Sequence, residues 1–106
     1  MEAKKKYIEG LGFLTRGDLD AAVNSFEESV AADRSFGLGY LGLAQALDRL
    51  GQADPAIVAV RQAIELMPDD PLPHTSLSRL LQQKDMIEEA EAEMAISMRL
   101  QHQAEA

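Results

Sequence analysis

Three turn residues, Gly17, Gly51 and Asp85, stand 34 residues apart, and that period constrains the fold more than any other feature of the chain. Each closes an amphipathic stretch: Gly17-Asp18, then Gly51 with Asp54-Pro55, then Lys84-Asp85. The residues beyond each turn recur in the same register. Ala22, Ala56 and Ala90 share one offset, Phe26, Val60 and Met94 lie four residues on, and Ser29, Ala63 and Ser97 three residues after that. Small residues at matched positions let two helices approach closely, and the larger one fills the space beside them. A unit of this length buries its apolar face only against its neighbour, so repetition builds a solenoid of helix-turn-helix units.

Local signals place six helices, near residues 3–16, 19–32, 37–50, 54–66, 71–83 and 86–102. Leu38, Leu41, Leu43, Leu47 and Leu50 form apolar faces at helical spacing. Ala, Leu, Glu, Gln and Met are abundant and Trp is absent, which favours helix nearly throughout. Asp54 reads as an N-cap with Pro55 at the first helical position, and Asp85 with Glu88 as a capping-box-like pair. Pro68, Pro71 and Pro73 fence off the loop between the second and third units. The expectation is a single all-α domain over residues 1–106, with repeats at about 3–36, 37–70 and 71–104.

The second unit reads Tyr40, Leu43, Ala44, Leu47 and ends at Pro68. In this it resembles the tetratricopeptide repeat, whose first helix carries W-x2-L-G-x2-Y and whose second ends on proline. The first unit reads Lys6, Glu9, Gly10, Phe13 with Arg34 at the proline position, and the third reads His74, Leu77, Ser78, Leu81 with His102 there. These departures fall at the ends of the array, where a repeat lacks one neighbour. The resemblance covers residues 3–102 and implies a right-handed superhelical solenoid of three antiparallel helix-turn-helix repeats, with a peptide-binding rather than a catalytic role.

The chemistry agrees with that implication. No convergent set of acid, base and nucleophile can be assembled, and the expectation is no enzyme, no cofactor and no metal. His74 and His102 occupy different phases of the third repeat and read as surface or helix-end residues. Glu88, Glu89, Glu91 and Glu93 read as a solvated helix start, favoured there by the dipole. Gly10, Gly12 and Gly17 lack the context of a phosphate loop. With 18 acidic and 10 basic residues the net charge is −8, which disfavours nucleic acid, and Lys4, Lys5 and Lys6 are too few to reverse that. There is no cysteine, no apolar run long enough for a membrane, and no signal-peptide core, since Glu9, Arg16 and Asp18 interrupt the N-terminal stretch. Cytoplasmic residence follows as the expectation.

The resemblance implies that the first helix of each repeat lines a concave groove. The groove positions are then Tyr7, Leu11 and Leu14, followed by Leu38, Leu41, Gln45 and Arg49, and by Leu72, Ser76, Arg79 and Gln83. Apolar anchors there suit a peptide or helix of another protein, and a charge at Leu11 or Leu41 is expected to abolish binding without loss of helicity. The family's carboxylate clamp would fall on Tyr7, Leu11, Gly42, Leu72 and Ser76, which offer no cation or amide, so a chaperone tail gripped in that way is disfavoured. In the last helix, Ile87, Ala90, Met94 and Met98 are expected to belong to their own repeat, leaving Ile96 and Leu100 apolar and uncovered. Met94, Ile96, Met98 and Leu100 therefore mark an end contact, and self-association as a homodimer or a small secretion or assembly chaperone is the alternative reading.

Overall fold

The computed structural model describes residues 1–105. Its elements in chain order are α1 (Glu2–Arg16), α2 (Leu19–Ala32), α3 (Gly37–Arg49), α4 (Ala53–Leu66), α5 (Pro71–Gln83) and α6 (Ile87–Glu105), with no strand among the described residues. The three turn residues share one backbone solution. Gly17, Gly51 and Asp85 are left-handed, with φ of 78°, 78° and 62°. In each case the next amide reaches back to a carbonyl of the preceding helix: Asp18 to Phe13, Gln52 to Leu47 and Met86 to Leu81, all at 2.9 Å. Closing the helix this way satisfies carbonyls that would otherwise be orphaned. Glycine takes that conformation without steric cost, and aspartate is among the few other residues that tolerate it.

Two capping expectations are corrected by these turns. Helix α4 starts at Ala53 with Gln52 as its N-cap, so Asp54 lies inside the first turn, and its carboxylate instead takes the Lys84 ammonium at 2.6 Å. Asp85 is consumed by the left-handed turn and caps nothing, since α6 begins only at Ile87. The side-chain cap the fold does use is Asp70, which accepts from the Leu72 amide at 3.0 Å with Pro71 opening α5.

Within each repeat the two helices pack antiparallel, and the recurrent small positions lie at their closest approach. Ala22, Ala56 and Ala90 are completely buried. The next small position is also a hydrogen-bond site: Ser29 Oγ donates to the Ala3 carbonyl at 2.7 Å, and Ser97 Oγ to the Pro71 carbonyl at 3.1 Å. Between repeats, Phe26 fills the space between α1, α2 and α3, whereas Leu77, Leu80 and Leu81 join Val60 and Ala63 between α4 and α5. Helix α3 contacts both α1 and α5, while among the described residues α2 does not reach α4, nor α4 reach α6. The stack therefore draws together on the side of the first helices and splays on the other.

Candidate functional site

The inner surface is built by α1, α3 and α5, and the structure divides the residues assigned to it from the sequence. Leu14 and Leu41 are 6% and 4% exposed and belong to the core, as does Ser76. They offer little to a ligand, because the first helices crowd one another on this side. A charge at Leu41 is thus expected to break the fold rather than spare it. Tyr7 and Leu11 are half-buried. The Tyr7 ring lies 5.9 Å from that of Phe26 and 5.6 Å edge-on from Phe36, and burial pushes its hydroxyl above the ordinary tyrosine pKa.

Leu38 and Leu72 behave differently. They are 37% and 49% exposed and stand 34 residues apart, each on the first turn of its helix. Toward the other end of the same helices the surface becomes polar. Arg79 Nη2 meets Asp48 Oδ2 at 2.8 Å, Gln83 Nε2 donates to Asp48 Oδ1 at 3.0 Å, and Arg49 Nη1 donates to the Leu14 carbonyl at 3.2 Å. These bonds strap each repeat to the next. Gln45 is half-buried between the apolar and polar ends. Asp48 is absent from the sequence-based set, although an acid three residues after Gln45 and one before Arg49 falls on the helix edge that the groove positions share.

Three further expectations are corrected. His74 is no surface histidine: it is 7% exposed, and its Nδ1 lies 2.7 Å from Glu93 Oε1, bridging α5 to α6. Glu93 accordingly leaves the solvated acidic face, which keeps Glu88, Glu89 and Glu91. At the end of the array, Met94, Ile96 and Leu100 are half-buried, while Met98 is 62% and Ile87 47% exposed. The apolar residues open to solvent are therefore Met98 and Ile87, because α6 turns Ala90 and Ser97 toward α5.

On the splayed side a hollow of about 730 Å³ opens between α2 and α4, floored by Tyr40, Leu43 and Leu47 of α3 and walled by Val23 and Val58. Among the described residues no group of three or more His, Cys, Asp or Glu could hold a metal, and no helix is long and apolar enough to cross a membrane.

The same architecture recurs in solved structures. The crystal structure of MamA superposes with a TM-score of 0.93 at 20% identity, over 97% of this chain and 60% of MamA. The second TPR of Spaghetti (RPAP3), bound to the HSP90 peptide SRMEEVD, gives 0.92 at 20% identity over 94% of this chain and 93% of that one. The Yersinia enterocolitica type III secretion translocator chaperone SycD, in an alternative dimer, gives 0.90 at 21% identity over 93% and 75%. Comparison with curated proteins returns no significant match. The family model described as tetratricopeptide repeat matches residues 13–75, more than half of the sequence. That span runs from the end of α1 into α5, across both junctions between repeats, and the chain belongs to the tetratricopeptide repeat family.

Proposed function

We propose that this chain is a protein-interaction scaffold that binds a peptide or helix of another protein along α1, α3 and α5. The observation that carries the reading is the exposure of Leu38 and Leu72 at one repeat position, where neither serves the core. Two leucines held one repeat apart on a concave surface present paired apolar anchors, and Tyr7 and Leu11 extend the strip toward α1. Arg49, Arg79 and Gln45 give its other edge hydrogen-bonding capacity, so a ligand with apolar anchors and flanking polar or acidic groups fits best. The RPAP3 domain shares this fold and holds an HSP90 peptide. Here the positions of a carboxylate clamp carry no cation: Tyr7 and Leu11 are half-buried, Gly42 and Ser76 are buried, and Leu72, on the first turn of α5, is exposed. A chaperone tail gripped by its terminal carboxylate is accordingly not the ligand proposed, and the reading is non-catalytic.

Selection of a random peptide library on the immobilised chain tests it. Enriched peptides should carry spaced apolar residues and lose at least tenfold in affinity for a Leu38→Lys/Leu72→Lys variant, since each leucine is worth about 1.5–3 kcal/mol when buried. The helical circular dichroism of that variant should be unchanged. Ligands that ignore both substitutions would place binding elsewhere and overturn the reading.

A further inference from the structure

Helix α6 touches only α5 among the described residues, and its opposite face is free. The face is segregated by charge. Glu88 and Glu91 lie in its first half, Arg99 and His102 in its second, and Ala92, Ala95 and Met98 between; all seven are exposed. The helix dipole favours acids early and bases late, but its influence fades within the terminal turns. Glu91 is already past the first turn and Arg99 precedes the last, so the dipole does not account for either.

We infer that α6 pairs antiparallel with α6 of a second copy, about a twofold axis at Ala95. This arrangement sets Glu91 level with Arg99 of the other copy, Glu88 level with its His102, and Met98 level with its Ala92. Symmetry makes each of these pairs twice. Glu91 meets the opposite charge of Arg99, Glu88 meets an imidazole that can donate a hydrogen bond, large Met98 meets a small residue, and the two Ala95 residues let the helices approach closely. A parallel pairing would set acid on acid, and is disfavoured. A helix of 19 residues is about 28 Å long, so the contact is of modest area and the dimer reversible rather than obligate. This surface is separate from the strip formed by Leu38 and Leu72, and the two readings stand or fall independently.

Sedimentation equilibrium on the whole chain, in about 0.15 M salt and up to ~0.5 mM protein, provides the test. The wild type should dimerise reversibly. Glu91→Arg and Arg99→Glu each turn two attractions into two repulsions and should weaken the dimer by about tenfold or more. An equimolar mixture of the two variants should recover wild-type association. In the mixed dimer the substituted arginine of one copy faces the substituted glutamate of the other, and the native Glu91 and Arg99 that remain face each other. Both sites are exposed, so circular dichroism should be unaltered. A wild type that stays monomeric, a dimer indifferent to the reversals, or a mixture that fails to associate overturns the inference.

Discussion

The two junctions between repeats fill the same space from opposite sides. At the first, one aromatic ring supplies the volume. Phe26 comes from α2, and the facing positions are glycines; a Cβ on Gly10 would stand 2.6 Å from the ring, and one on Gly42 closer still. At the second, Val60 replaces Phe26, Ser76 replaces Gly42, and the volume moves to α5, where Leu80 stands in the place of Ala46. The repeat frame fixes where the helices lie and leaves open which of them carries the bulk. One junction is a single knob in a fitted hole, and the other is a shared apolar layer.

The sharpest break of this comparison is truncation of the residue common to both. Phe26→Ala should cost about 4 kcal/mol and Val60→Ala about 2, measured by urea unfolding, because the cost follows the volume removed and the cavity left. Equal losses would show that the junctions do not differ as described. The next test reverses the sign of the change. Gly42→Ala should cost about 2 kcal/mol, although alanine is the better helix former by ~1 kcal/mol, since the methyl group has only the Phe26 ring to displace. Ser76→Ala should stay within about 0.5 kcal/mol. Phe26→Leu combined with Gly42→Ala should then lose less than the two single changes together, because a smaller side chain makes room for the methyl group.

How much of this is legible in the sequence depends on whether the signal is repeated. Gly17, Gly51 and Asp85 announce the turns, and all three carry the same left-handed closure. Six helices and their order follow, with ends displaced by at most three residues, the largest shift at the end of α6. Asp54 and Asp85 mislead because local capping rules do not know that a left-handed turn already occupies the site. The site is less legible. Leu14, Leu38 and Leu41 look alike as letters, yet Leu38 alone remains open, since burial depends on how tightly the first helices crowd together. His74 and Glu93 lie 19 residues apart on different helices, with no motif linking them, so their contact emerges only from packing.

That contact gives a smaller test, within the third repeat. Glu93→Ala leaves the His74 ring without its partner in a buried setting and should cost about 1–2 kcal/mol, whereas Glu89→Ala on the exposed side of the same helix should change stability by less than about 0.5 kcal/mol. Similar losses from both would mean that the His74 contact contributes no more than an exposed acid does.

The smallest expected effect separates the straps on the inner surface. Both junctions are bridged by an arginine, but the acceptors differ: Arg49 binds the neutral Leu14 carbonyl, and Arg79 binds the Asp48 carboxylate. The Arg79 side chain is 55% exposed, so its ion pair should be worth only a few tenths of a kcal/mol. Salt distinguishes the two. Asp48→Ala should cost about 0.5 kcal/mol at low ionic strength and almost nothing at 1 M, where screening acts over about 3 Å. Arg49→Ala should cost a similar amount at both, because a bond to a neutral carbonyl depends far less on screening. If the Asp48 loss persists at 1 M, hydrogen bonding to Gln83 and Arg79 holds the second strap, and the two junctions are tied by the same means despite their different cores.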